Sequence, residues 1–522
     1  MSVVKKHRLT SIITFFALTV CIDMVAHVWP TNTRNDPFPV HSAWDPQYFL
    51  YEREKQLMFG MPDEKGTPEY VMLSISPFGQ NADTAKRLSG TYCPPQNWVT
   101  TTCPGVCNNI ICNNPPPPPN CPVCINTVNI GDIDGRWNLL GLLAGKIPAN
   151  KVVPPLLEQA FTEIFGTPFA AGLITSSNIQ FSDPTQNEER FLCEPLFGYV
   201  SVPLKYRKRG IRWNFEAQLG CNLGFQFLGG AVEISQVLNP CFINLTNQVT
   251  SAPMPCTIFN PHIQQLTQEK INCFLFDPLI QLAQQLGLDL CNFTKWGFED
   301  FWFSLYWRHA TPINFNFDLS WPRLLVIPFF RLGASVPTGH PQDPSRQFSL
   351  PFGNNGSFSL CGNAGINFDF SETVEFGGEV GYVHFFSKEF ADYRMPTNVL
   401  QSGIFPWATD VKINFGDTAY VAGKLAAYHF IDRLSFWGQW VFVHHRRDHI
   451  TLLNPDPAFI DIDDNNPLAK CDNTTWRAQL GNFALTYDIS PNFGIGVVWQ
   501  QMFHARNVYN ATTIMFTLNL IF

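Results

Sequence analysis

Five stretches of this chain alternate apolar and polar residues over lengths that soluble strands seldom reach. Ile211, Trp213, Phe215, Ala217 and Leu219 alternate with Arg212, Asn214, Glu216, Gln218 and Gly220. Ile313, Phe315, Phe317 and Leu319 alternate with Asn314, Asn316 and Asp318. Phe358, Leu360, Ala364, Ile366, Phe368 and Phe370 alternate with Ser359, Cys361, Asn363, Asn367 and Asp369; Val374, Phe376, Val380 and Tyr382 with Glu375, Gly377, Glu379 and Gly381. At the end of the chain Ile514, Phe516, Leu518, Leu520 and Phe522 alternate with Thr513, Met515, Thr517, Asn519 and Ile521. A strand points successive side chains to opposite faces, so each stretch has one apolar and one more polar face. Soluble strands run about five or six residues, whereas a tilted strand needs about nine to eleven to cross a bilayer. Length and alternation together predict strands that span a membrane.

Composition agrees. Only 15% of residues are charged and 14% are aromatic, with 47 Phe, against about 25% charged in soluble domains. No stretch reads as a transmembrane helix, so any crossing is made by strands. The backbone then requires a closed barrel, because an open edge has no partners in lipid. The formal net charge of −8 argues against nucleic acid as a partner. The predicted fold is all-β, a transmembrane antiparallel barrel of about 12–14 strands, with short helices in loops or in an N-terminal plug.

The start reads as an export signal: basic Lys5, Lys6, His7 and Arg8, then apolar Ile12 to Ile22, too short to span a bilayer. The expected organisation is a signal peptide over 1–26, a periplasmic or plug segment over 27–69, and the barrel over 70–522, its first strand near Tyr70 to Phe78. Leu196 to Tyr206 and Ile211 to Gly220 are read as two strands flanking a turn at Arg207-Lys208-Arg209-Gly210. Pro154 to Phe165 is an amphipathic helix behind two prolines, and about Ile263 to Leu286 a second helical region broken at Pro278. A helix-containing insertion is expected over about 229–297, its side of the membrane undetermined, with about ten strands from Phe298 onwards. Short connections at Ser371-Glu372, Asp432-Arg433 and Ser490-Pro491 alternate with long ones at Pro337 to Gly356, Lys388 to Asp410 and Arg447 to Asn473, as periplasmic turns alternate with extracellular loops.

Six of the fifteen cysteines, Cys93, Cys103, Cys107, Cys112, Cys121 and Cys124, crowd into a Cys/Pro-rich stretch, 93–125, around Pro115 to Pro119. Polyproline cannot join a sheet ladder, so this is a loop outside the bilayer. Its cysteines are disulfide candidates in an oxidising compartment, with a thiolate zinc site at Cys121-Pro-Val-Cys124 as the alternative. The candidate lumen-lining residues are Arg212, Asn214, Glu216, Gln218, Asn314, Asn316, Asp318, Asn363, Asn367, Asp369, Glu375 and Glu379, which predict a wet, mildly acidic interior. They line a conducting pore or satisfy one another inside a plugged barrel. His444, His445 and His449 sit beside Arg446, Arg447 and Asp448 at a strand's outer end, where a solvated rim is the simplest account. Asp461, Asp463, Asp464 and Asn465 lack the central Gly and final Glu of a calcium loop. No nucleophile, phosphate-loop or dinucleotide motif is present. No enzyme activity, cofactor or metal is expected.

With its alternating final strand ending on Phe522, the chain resembles bacterial outer-membrane β-barrel proteins of the porin-like kind. That resemblance implies an outer-membrane location, passive diffusion of small solutes, lipid as surroundings, and recognition of Ile514, Phe516, Leu518, Leu520 and Phe522 by the barrel-assembly machinery. There is a general likeness to chlamydial-type major outer-membrane proteins in the signal, the cysteine-bearing loops, the early Pro-Cys-rich segment and the terminal Phe. This implies disulfide-linked neighbours or homo-oligomers. Helical material before and between strands resembles the long-chain fatty acid transporter family and implies a plugged barrel for hydrophobic substrates. A structural or adhesive surface barrel is the third expectation.

Overall fold

The computed structural model describes residues 71–86, 134–138, 179–181 and 256–258, and most of 142–165, 199–243 and 278–522. Twelve strands close into one antiparallel ring: β1 (Val71–Lys86), β2 (Tyr199–Gly220), β3 (Leu223–Leu238), β4 (Phe301–Arg308), β5 (Leu324–Val336), β6 (Ser359–Phe370), β7 (Val374–Phe385), β8 (Thr418–Ile431), β9 (Leu434–His445), β10 (Trp476–Ser490), β11 (Phe493–Arg506) and β12 (Val508–Ile521). Each pairs with its neighbours in sequence, and β12 returns to β1 with Met72 opposite Ile521 and Ile75 opposite Leu518. Val71 and Phe522 exchange both backbone hydrogen bonds, at 3.2 and 2.9 Å. The ring has no free edge, as lipid requires of a sheet.

Burial follows the period of two. On β12, Thr513, Met515, Thr517 and Asn519 are buried inside while Ile514, Phe516 and Leu518 are exposed outside. Leu305, Leu332, Val380, Leu425 and Val497 extend this outer apolar band around the ring. Trp307 and Tyr487 mark it toward one end and Tyr382 and Phe503 toward the other, the aromatic girdles of a membrane barrel. Among the described residues no helix is long and apolar enough to cross a membrane.

The two ends differ. Residues 221–222, 371–373, 432–433 and 491–492 make short turns at one end, where 309–323 is the longer exception. Residues 87–198, 239–300, 337–358, 386–417 and 446–475 connect strands at the other, where only β11 and β12 are joined tightly. The insertion whose side was undetermined therefore belongs to the long-loop end.

The barrel has twelve strands, within the expected 12–14, three before Phe298 and nine from Phe301 onwards. Several other expectations are corrected here. Arg207 to Gly210 is no turn: β2 runs unbroken through it, with Arg209 opposite both Gly79 and Glu233. Its basic residues mark the part of β2 near the long-loop end, where Arg207 and Arg209 are exposed and Lys208 points inward. The insertion starts after Leu238 and not at 229, because 223–238 is β3. Its inner face mixes Gln226 and Gln236 with Leu228, Val232 and Ile234, and Glu233 stands outside, so the alternation is blurred. The alternating run from Ile313 is not one of the twelve strands as far as it is described: Thr311–Ile313 is a short strand against the start of β5. Asn314, Asn316 and Asp318 lie outside the described residues, as do 1–70, the six clustered cysteines and Asp461 to Asn465.

The helix expected behind the prolines is α1 (Pro155–Phe165), with Leu157, Ala160 and Phe161 buried. Of the second helical region, α2 (Leu279–Gln285) starts after Pro278 and buries Leu279, Leu282 and Ala283. The Leu156 N–H donates to Gln285 Oε1 at 3.1 Å, tying the two helices together. Lys388–Met395, Trp407–Asn414 and His449–Leu452 form a separate three-stranded sheet in the long loops, with Val411, Ile413 and Ile450 buried. One continuous apolar cluster joins these helices, this sheet, Leu350 and Phe352 to the inward side chains Phe78, Tyr206, Val232 and Ile234. The long-loop end of the barrel is filled.

Candidate functional site

The inner wall is the chemically distinctive surface of this molecule, and one irregularity organises it. Phe293–Phe298 and β4 both pair with β3, Phe298 opposite Ala231 and Trp302 opposite Leu228. Between them three residues, Glu299, Asp300 and Phe301, face only two, Gly229 and Gly230, which makes a β-bulge, the kind of irregularity that re-aims side chains. Both acids turn inward and are buried. Glu299 takes Lys208 Nζ at 2.6 Å and the guanidinium of Arg212 at 2.8 and 3.1 Å. Arg212 also lies 4.1 Å from the centroid of the Phe78 ring.

Asp300 instead holds a loop. Its carboxylate accepts the backbone N–H groups of Gly339 (2.9 Å) and Asn354, while the Thr338 hydroxyl donates to the Glu299 carbonyl at 2.8 Å. Residues 349–355 of this loop are buried. Loops normally stay at the surface because their backbone groups need water, so a buried one needs such acceptors. A Cβ on Gly353 would sit 2.2 Å from the Asp300 carboxyl group, so only glycine allows the approach.

Below the bulge, toward the short-turn end, the Tyr306 hydroxyl donates to Glu216 and lies 3.1 Å from Gln218. Arg308 Nη2 is 3.7 Å from Glu216. Across the lumen Lys424 pairs with Glu375, which also accepts from the Tyr428 hydroxyl at 3.1 Å. A belt of side-chain hydrogen bonds crosses the remaining strands: Thr513 to Gln500 (3.2 Å), Gln500 to Asn482 (2.9 Å), Asn482 to Gln439 (3.0 Å) and Gln439 to Glu379 (3.4 Å). Between these walls lies a cavity of about 40 Å³ lined by Tyr306, Arg308, Arg331, Asn367, Glu379 and Lys424 among others.

Of the sequence-derived lumen residues, the structure places Arg212, Asn214, Glu216, Gln218, Asn363, Asn367, Asp369 and Glu375 buried on the inside, and Glu379 there half-buried. It also puts there residues the sequence reading missed: Lys208, Glu299, Asp300, Arg308, Arg331 and Lys424. Five cations stand beside six anions among these described inward groups, so the charge there is close to balanced. Asp369 and Glu375 are 0% exposed, Glu375 beneath its partners Lys424 and Tyr428.

At the rim, His445 donates through Nε2 to Asp448 at 3.2 Å, shares a hydrogen bond between Nδ1 and the Thr418 hydroxyl at 2.8 Å, and stacks on Trp476 with ring centroids 5.3 Å apart; its packing accounts for it. No metal-holding group of His, Cys, Asp or Glu occurs among the described residues. Nearby, Asp417 binds the Tyr382 hydroxyl, and His384 Nδ1 at 2.7 Å. Burial alone would raise the Asp417 carboxyl, but these two bonds and the charges of His384 and Arg446 hold it below the usual carboxylate range.

No protein-family model and no curated protein matches the sequence. Among solved structures there is a likeness to an outer-membrane channel from Pseudomonas putida F1, at 7% identity over 88% of this chain and 98% of that one, TM-score 0.38. The translocator domain of the autotransporter NalP from Neisseria meningitidis matches at 7% over 92% and 97%, TM-score 0.27. The CymD monoaromatic hydrocarbon channel matches at 8% over 95% and 98%, TM-score 0.27. Identities and scores this low leave function to be argued from the side chains themselves.

Proposed function

We propose that this closed barrel is a passive, non-enzymatic channel for small polar solutes, held in a closed conformation by the loop latched to Asp300. An even-stranded barrel with an apolar outer band and short turns at one end has the architecture of bacterial outer-membrane proteins, and the outer membrane is its place. The observation that carries the channel reading is the inner wall. A barrel with a purely structural role gains most from an apolar interior, because buried ion pairs are often no better than well-packed apolar groups. Here charged, amide and hydroxyl side chains line the ring from Lys208 to Thr513. Polar solutes are the class such a wall suits.

A second reading, a plugged barrel passing apolar solutes, is favoured by the apolar cluster that fills the long-loop end. Planar-bilayer recording separates them. The wild type should give small, infrequent openings, and Asp300→Asn, which replaces an acceptor by an amide, should open more often. Silence from both proteins would overturn the channel reading and leave the apolar or structural barrel. We further propose that Ile514, Phe516, Leu518, Leu520 and Phe522 are read by the barrel-assembly machinery and that the cysteines of 93–125 are bridged. The apolar outer face of β12 and an oxidising compartment support these two readings.

A further inference from the structure

A second cavity, of about 260 Å³, lies in the long loops and is separate from the lumen site. Its walls come from two segments far apart in sequence: 341–344 with Asn355, and 388–394 with Phe405. The Phe390, Tyr393 and Phe405 rings give it apolar sides. Two cationic groups border it. Lys388 has no carboxylate within ion-pair reach among the described residues, and its ammonium lies 5.4 Å from the centroid of the Phe390 ring. Arg394 gives its two terminal nitrogens to the carbonyls of Pro406 (2.6 Å) and Gly287 (2.7 Å). That leaves its Nε–H buried without an acceptor.

None of the acids near the cavity makes an ion pair with these two groups among the described residues. Asp343 is occupied by the Ser345 backbone and hydroxyl and by Arg346. Glu389 also borders the cavity but is exposed to solvent, where its charge is screened, and Asp392 acts on Arg394 through its charge without an ion-pair contact. A buried donor without a partner costs free energy that a bound acceptor returns. An ammonium beside aromatic faces selects an anion with a flat apolar body. We propose that this cavity binds small organic carboxylates whose apolar part packs against Phe390 and Phe405 and whose carboxylate meets Lys388 and Arg394 Nε.

The test is calorimetric titration of the detergent-purified full chain with benzoate and with benzyl alcohol, its uncharged counterpart of similar shape. Benzoate should bind saturably and about tenfold more tightly than the alcohol, the scale of one modest charge-assisted contact. Lys388→Gln should remove that preference while leaving alcohol binding unchanged, and Phe390→Ala should weaken both ligands. Absence of saturable benzoate binding, equal affinity for the two ligands in the wild type, or full benzoate affinity in Lys388→Gln would each overturn the proposal. Binding is read without conductance, so failure here leaves the channel reading untouched.

Discussion

Phe516 stands on the outside of β12 and Thr517 on the inside, one residue apart. Phe516→Asp removes roughly 1.5–3 kcal/mol of apolar burial and puts a charge toward lipid. It should sharply lower membrane-fraction yield, while Thr517→Ser should leave it unchanged. Equal yields would sink the face assignment. Aspartate at 517 is not the gentle comparison that a wet lumen would make it, because Thr517 is only 2% exposed and the charge would be buried. The Glu299 position tests the inner wall. Glu299→Gln strands Lys208 and Arg212 as two buried cations, a loss on the order of 3–5 kcal/mol, and should lower the unfolding temperature clearly. Residues of this kind were only half legible. Arg212 to Gln218 alternate cleanly with apolar neighbours, so their side of the strand could be read. Arg308 follows Tyr306 and Trp307, and Lys424 sits in a run of small residues around Ala419, Ala422 and Ala426. Neither setting has a polar-apolar rhythm to betray which way the cation points.

At the scale of elements, the bulge and the loop it holds form a unit that no local pattern announces. Gly353→Ala should push Asp300 off its two backbone donors, at a cost of about 1–3 kcal/mol for groups left unsatisfied. Protease should then cut within 337–358 faster than in the wild type; unchanged protection would refute the latch. The rim contact of Asp417 responds to acid. Because its folded pKa is depressed, its contribution is fully present above the usual carboxylate value and disappears as pH falls through the lowered one. The wild type should therefore melt above Asp417→Asn near neutrality and converge with it in strong acid, as thermal scans across pH would record. Pro328 lies inside β5. Proline inside a strand argues against a central position. Here the ladder on one side is interrupted between Arg308 and Thr311, and the Pro328 carbonyl accepts from the His309 N–H at 3.2 Å, so the missing donor is not needed.

For the whole molecule, the class and closure of the barrel were legible because bilayer thickness dictates strand length and lipid dictates alternation. What fills the barrel was not, since packing of α1, α2 and the long loops against Phe78, Val232 and Ile234 depends on contacts between residues far apart in sequence. A closed ring should migrate faster in unheated than in boiled detergent gels; identical migration would contradict it. The ring also carries a mechanical consequence. A sheet without an edge cannot fray strand by strand, so unfolding has to begin by splitting a seam. β4, with eight residues, is the shortest of the twelve, and the ladder it shares with β3 is interrupted at Glu299 and Asp300. Under load from a pulling tip or a translocating motor, the cylinder should part there first, unzipping in two directions from a single weak stave.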